Sequence, residues 1–245
     1  MITALADGRL LAEKTGTSPA EVVALHGWGR NGNDFDGILT GLNAVAIHLP
    51  GFGITAEPDE VWNSERYADE VAAALTDGPP VVIVGHSFGG RVAVRLAAKY
   101  PQLVSGLVLT GVPLVRLTAA PRPSLAYRLV RMLHRVGLIS AARLEAEKNR
   151  RGSDDYRAAS GVMRDIMVTV VGENYDDDLR AISCPVRMVW GELDPAAPAD
   201  AGLAASEMIP GAQFRLVCGE AHLMEGELRA AVREELHELI EELAG

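Results

Sequence analysis

Cysteine is nearly missing from this chain, with two in 245 residues. Neither Cys184 nor Cys218 sits in a C-x-x-C pair, and two thiols are too few for a disulfide framework. Cys184 precedes a proline and a strand, Cys218 ends another strand, and both are expected as reduced core thiols. Long apolar runs are absent as well, none approaching the roughly 20 residues that span a bilayer. The first ten residues lack a basic segment followed by a long apolar one, so no signal peptide is expected and the chain reads as cytoplasmic. Positive charge is in deficit. The net charge of −10 favours solubility and argues against a general nucleic-acid binder. There is no internal repeat and no low-complexity tract.

What remains is an ordinary globular composition, long enough for one large α/β domain or two small ones. Short apolar runs alternate with longer amphipathic ones. Ile2–Leu5 and Leu10–Glu13 flank Asp7-Gly8 and predict a hairpin. Val22–His26, Ala44–Leu49, Val81–Val84, Leu107–Leu109, Val186–Trp190 and Phe214–Val217 read as strands. Phe35, Ile38 and Leu39 have helical spacing, and Ser64 to Leu75 reads as a helix with Ser64 as its N-cap. Leu228, Val232, Leu236, Leu239 and Leu243 share one face of a C-terminal amphipathic helix. Strands alternating with helices imply a mostly parallel sheet covered on both faces.

One stretch breaks the alternation. Between Val112 and about Arg180 no strand is evident, and Ser124–Val136, Ser140–Asn149 and Ser153–Val171 read as helices, each opening on a serine N-cap. Residues 112–180 therefore read as a helical insertion, with 1–111 and 181–245 as the core. From Leu114 to Asp165 eleven Arg or Lys face five Asp or Glu. That stretch carries +6 on a chain whose total is −10, which leaves −16 for the remainder.

The densest chemistry lies at Gly85-His86-Ser87-Phe88-Gly89, between the apolar run Val81–Val84 and the helix-like Gly90–Ala98. A strand, a very tight turn with serine at its tip, and a helix follow one another. Glycines at i−2 and i+2 fit a turn in which strand and helix approach too closely for side chains. Such a turn holds the serine Oγ out into a cleft, at the positive end of the following helix. A serine hydroxyl is a poor nucleophile without a base, and the base needs a third group to orient it. The motif thus predicts an acid after a later strand and a histidine after a still later one. Asp194 follows Val186–Trp190, and His222 follows Phe214–Val217. In a parallel sheet these loops share one edge. Glu192 is the rival acid two residues before Asp194. Asp194 could also be a turn residue before Pro195. His26, His48, His86, His134 and His237 lack the required place in chain order.

Acyl transfer also needs donors for a developing oxyanion. One is the backbone N–H of Phe88, directly after the serine. The other is expected from His26-Gly27-Trp28-Gly29, as the N–H of Trp28, with the glycines turning that amide into the cleft. His26 reads as a buttress of this loop, and the Trp28 side chain as packing near the pocket mouth.

These segments, with Leu49-Pro50-Gly51-Phe52-Gly53, Gly191-Glu192-Leu193-Asp194 and Gly219-Glu220-Ala221-His222, resemble the α/β-hydrolase fold family over nearly the whole chain. The resemblance implies a core sheet of about eight strands with a helical cap over the active site, where residues 112–180 fall. In place of the Asp-x-x-Gly often found after the fourth strand, this chain has His48-Leu49-Pro50-Gly51. A serine nucleophile excludes the family's haloalkane dehalogenases and epoxide hydrolases, which use aspartate.

The expected activity is hydrolysis of a carboxylic ester or related acyl compound by Ser87, His222 and Asp194, with no metal or organic cofactor implied. The fold itself is weakly specific for substrate. Arginine binds carboxylate and phosphate through a planar fork, so the basic insertion could recruit an acidic small molecule or an acidic carrier protein. Arg91, Arg128 and Arg164 are the candidate substrate contacts. Arginines along an amphipathic helix also line a solvated face, and Arg91 could simply pair with an acid. Gly89-Gly90-Arg91 is similar to the Gly-Gly-Arg of the fold's menaquinone-pathway lyases, which keeps open a lyase or carbon–carbon hydrolase acting on an acidic molecule. A non-catalytic receptor or scaffold is the remaining alternative, and such proteins commonly lose a triad residue.

Overall fold

The computed structural model describes the backbone of residues 1–117, 125–151 and 153–245, with all side chains among these except at 125–128, 131, 148, 149, 151 and 154. Its strands are β1 (Ile2–Leu5), β2 (Leu10–Thr15), β3 (Val22–Leu25), β4 (Ala44–His48), β5 (Val81–His86), β6 (Val104–Thr110), β7 (Val186–Gly191) and β8 (Gln213–Val217). They form one eight-stranded sheet in the order β1-β2-β4-β3-β5-β6-β7-β8. β1/β2 and β2/β4 pair antiparallel, and the remaining pairs are parallel.

Strand periodicity splits the interior into two layers. Val23, Leu25, Val45, Ile47, Val81, Ile83, Leu107, Leu109, Met188 and Trp190 face one core. It is closed by α1 (Ser64–Leu75) and α2 (Phe88–Lys99), with α7 (Asp176–Ala181) and α8 (Ala199–Met208) alongside. The alternate residues Val22, Ala24, Ala44, Ala46, Val82, Val84, Val108 and Val189 face the other core. That side is covered by α9 (Gly226–Ala244), whose Leu228, Val232, Leu236 and Leu239 are fully buried. Leu243 continues the stripe past the sheet and is half-exposed.

The β1–β2 hairpin forms as expected, with Asp7 and Gly8 at φ 57° and 85° in a 3-10 segment, Ala6–Gly8. Other local expectations need correction. Phe35, Ile38 and Leu39 are buried as expected, but only Gly32–Phe35 is helical, as a 3-10 turn. Its N-cap Asn31 accepts from Asn33 N–H at 3.0 Å. The cap of α1 is Asn63, whose Oδ1 accepts from Arg66 N–H at 2.8 Å. Ser64 is instead buried in a polar cluster described below. Cys184 is half-buried and its thiol is pushed up to about 11 by burial, whereas Cys218 is exposed because β8 is an edge strand.

Between β6 and β7 the described chain is helical: α3 (Leu125–Arg135), α4 (Ala141–Arg151), α5 (Asp154–Ala158), α6 (Gly161–Val171) and α7. Ser140 and Ser153 cap α4 and α5 through Arg143 N–H and Tyr156 N–H, while Ser124 lies outside the described residues. The single helix expected over Ser153–Val171 breaks at Ala159 and Ser160, both in extended conformation, so that α5 and α6 are separate. Met163 of α6 packs on the loop after β4, at Gly51. Ser64 Oγ donates to Glu173 Oε2 at 2.6 Å, and the Tyr175 hydroxyl donates to the same carboxylate. Arg95 pairs with Asp178 and lies over the Tyr175 ring at 4.6 Å. These contacts fasten the C-terminal end of the helical segment to α1 and α2. No helix among the described residues is long and apolar enough to cross a membrane.

Candidate active site

The C-terminal ends of β3, β5, β7 and β8 lie along one edge of the sheet, because all four strands run parallel. Ser87 stands at the tip of the turn between β5 and α2 with φ 50° and ψ −113°. A non-glycine residue there costs on the order of 1–3 kcal/mol and persists only when its surroundings hold it. They do so by two contacts. Ser87 N–H donates to Thr110 O at 3.0 Å, and Gly89 N–H donates to His26 O at 3.0 Å. The flanking glycines are required by contact: a Cβ at position 89 would stand 2.1 Å from Leu25 O, and one at position 85 would stand 2.6 Å from the Gly90 Cα.

Ser87, Asp194 and His222, spread over 136 positions of the chain, meet at this edge. His222 Nε2 is 3.1 Å from Ser87 Oγ, and His222 Nδ1 is 2.7 Å from Asp194 Oδ2. Asp194 is buried, and its other oxygen accepts from Ala196 N–H and Ala197 N–H, both at 2.8 Å. With Oδ2 as acceptor, Nδ1 carries the proton, and Nε2 presents its lone pair to the serine hydroxyl. Glu192, the rival acid, is committed elsewhere, accepting from Gly219 N–H at 2.9 Å.

Among the described residues, the amides of Trp28 and Phe88 have no hydrogen-bond acceptor. Phe88 opens α2, where the first N–H groups of a helix have no internal acceptor and the helix dipole is positive. The Trp28 side chain stacks edge-on against Phe52 and Phe88 at 4.9 and 5.3 Å. His26 is fully buried beneath the loop. Its Nε2 accepts from Leu49 N–H at 3.0 Å, and its Nδ1 donates to Gly27 O at 2.8 Å. Burial lowers its pKa to about 4, so it stays neutral and ties the loop after β3 to the loop after β4.

Two supporting contacts escape a reading of the motif alone. His86, buried inside the turn, donates from Nε2 to the backbone oxygen of His222 at 2.9 Å, and burial lowers its pKa to about 4. The Ala196 and Ala197 amides that hold Asp194 come from an Asx-type turn, whose signal is the Asp194-Pro195 pair.

The arginines take other partners. Arg91 is buried, donates to Val170 O at 2.6 Å and lies over the Tyr175 ring at 5.6 Å. Desolvation lowers its pKa. Arg164 pairs with Glu145, donates to Ala159 O at 2.7 Å and lies over the Tyr156 ring. Neither is brought to Ser87, Asp194 or His222. The side chain of Arg128 lies outside the described residues.

Comparison with known proteins places the chain in a family. The sequence profile of the alpha/beta hydrolase family matches residues 22–235, and the chain belongs to that family. An esterase of Mycobacterium tuberculosis is 37% identical over 110 residues, covering 43% of this chain and 37% of that protein. A pimeloyl-(acyl-carrier protein) methyl ester esterase of Neisseria meningitidis is 42% identical over 106 residues, covering 41% of this chain and 39% of that protein. These matches thus span well under half of either relative. Among solved structures, a thermophilic esterase from Thermogutta terrifontis superimposes with a TM-score of 0.69 at 20% identity, covering 99% of both chains. The eight-stranded, mostly parallel sheet is that of the α/β-hydrolase fold.

Proposed function

We propose that the chain is a serine hydrolase that cleaves a carboxylic ester or related acyl compound through Ser87, His222 and Asp194. The observation that carries this reading is the imidazole of His222, set 3.1 Å from a serine hydroxyl on one side and 2.7 Å from a buried carboxylate on the other. Ser87 Oγ attacks the carbonyl carbon as its proton passes to His222 Nε2. The oxyanion forms against the N–H groups of Trp28 and Phe88, where fixed donors act without reorganisation. Collapse expels the alcohol, which takes the proton from His222 and leaves an acyl group on Ser87. Water then gives a proton to His222 and attacks the acyl carbon, and collapse returns the acid and the free serine. Asp194 holds the Nδ1–H tautomer and offsets the charge of the imidazolium. The helical segment of residues 112–180 serves as a cap over this edge, and its Met163 packs at Gly51 in the loop after β4.

Esterases among the matched relatives support the substrate class. The +6 charge of residues 114–165 suits an acidic acyl compound or an acidic carrier, and the meningococcal relative's name describes an acyl group on a carrier protein. The alternative of a lyase or carbon–carbon hydrolase, which draws on Arg91 and on the arginines of residues 112–180, gains no support from Arg91, which engages Val170 O.

The test is a panel of p-nitrophenyl esters of increasing acyl length, with matching thioesters, assayed on wild type and Ser87→Ala. The reading expects turnover by wild type and a loss of about ten-thousand-fold or more in the variant. Equal turnover by both proteins would overturn it.

A further inference from the structure

The hairpin of α3 and α4 carries apolar side chains that no described residue covers. α3 ends in a Schellman turn, with Leu138 N–H donating to Leu133 O at 2.8 Å, Gly137 N–H donating to His134 O at 3.0 Å, and Gly137 at φ 76°. Leu129, Met132 and Val136 follow the i, i+3, i+7 spacing and share one helix face. They are 51%, 56% and 62% exposed, and Leu138 beyond the turn is 73% exposed. Val130 and Leu133, on the adjoining face, are half-buried. The helix therefore packs along one flank and projects a second apolar stripe, ending at the turn, into solvent.

A cation ends that stripe: Arg135, beside Val136 in the last turn of α3, is exposed. Among the described side chains, Arg135 and Arg143 are exposed and have no counter-ion.

We propose that α3 and its Schellman turn form a docking element for an anionic lipid–water interface, held there peripherally and reversibly. An interfacial helix places aliphatic side chains at the acyl boundary and cations among headgroups, and here Leu129, Met132, Val136 and Leu138 are exposed together with Arg135 and Arg143. The charge of the whole chain agrees. Residues 114–165 carry +6 and the remainder −16, so an anionic surface attracts the hairpin and repels the rest. A second copy fits this face poorly, because a two-fold contact would set two basic hairpins against each other. The projecting groups are also aliphatic, and leucine and valine are under-represented among the anchors of protein interfaces.

The test is sedimentation of the full chain with phosphatidylcholine vesicles, pure or mixed with phosphatidylglycerol, at low and high salt. Wild type is expected to bind the mixed vesicles roughly tenfold or more tightly than the neutral ones at low salt, with the difference shrinking at high salt. The double variant Met132→Asp/Leu138→Asp should lose binding, and Arg135→Glu/Arg143→Glu should lose the preference for anionic lipid. Thermal unfolding midpoints of both variants should match wild type, because the altered side chains are exposed. Wild type staying in the supernatant, or variants sedimenting as wild type does, would overturn the proposal. So would capture by an immobilised acidic carrier protein without vesicle binding, which would assign the hairpin to a protein partner. None of these readouts uses ester turnover, so the outcome is independent of the chemistry at Ser87.

Discussion

At Asp194 the two carboxylate oxygens have different partners. Oδ1 accepts two loop amides, while Oδ2 faces His222 Nδ1. One side chain thus holds a turn and meets His222 at once. A consequence follows for Asp194→Asn. The Ala196 and Ala197 amides keep the amide oxygen, so the new NH2 group points at His222. Nδ1 must then accept, the imidazole proton moves to Nε2, and the base can no longer take the serine proton. Turnover should fall by about ten-thousand-fold with little change in melting temperature. Steady-state kinetics and a thermal melt check both halves. The buried histidines give a second prediction. His26 and His86 titrate near pH 4 in the fold and near 6.5 in the unfolded chain. Between those values the unfolded chain binds more protons, so stability declines as pH falls from about 6.5 to about 4, by up to roughly 3 kcal/mol per histidine. Above that window neither contributes a slope. Urea midpoints measured across it should drop, and His86→Leu should flatten the decline. At this scale the meeting of Ser87, Asp194 and His222 was legible because chain order and strand ends restrict the candidates. The fate of Arg91 was not, since its partner Val170 lies 79 positions away.

Among elements, the turn between β5 and α2 is the most tightly determined. Its glycines are read correctly from sequence because the motif carries their reason, a local one at Gly85, which abuts Gly90, and a tertiary one at Gly89, which abuts Leu25 O of β3. Gly89→Ala should destabilise by about 3 kcal/mol or more, since the backbone at Leu25 O cannot move aside without shifting β3. Urea unfolding or loss of soluble expression would report it. The start of α1 shows the limit of local reading. Asn63 and Ser64 both suit an N-cap, and tertiary contacts decide between them: Ser64 is drawn into Glu173 and Tyr175, more than a hundred residues away. Ser64→Ala should cost about 1–3 kcal/mol by unpairing that cluster, and Asn63→Ala about 1 kcal/mol by removing the cap. Paired thermal melts would separate them. The break between α5 and α6 is likewise invisible to periodicity, because the apolar pattern continues through Ala158-Ala159-Ser160 while the backbone there is extended.

On the scale of the molecule, the parallel sheet with two covered faces is legible because β3 to β7 alternate between two cores residue by residue. The edge position of β8 is not, and with it the exposure of Cys218. The sheet also supplies the central claim, that parallel strands bring three distant loops into one catalytic contact. Mass spectrometry after brief exposure to a fluorophosphonate tests it most directly. The account predicts one adduct, on the peptide containing Ser87, formed rapidly by wild type and slowed by orders of magnitude in His222→Ala. Labelling elsewhere, or labelling of Ser87 at an unchanged rate without His222, would contradict it.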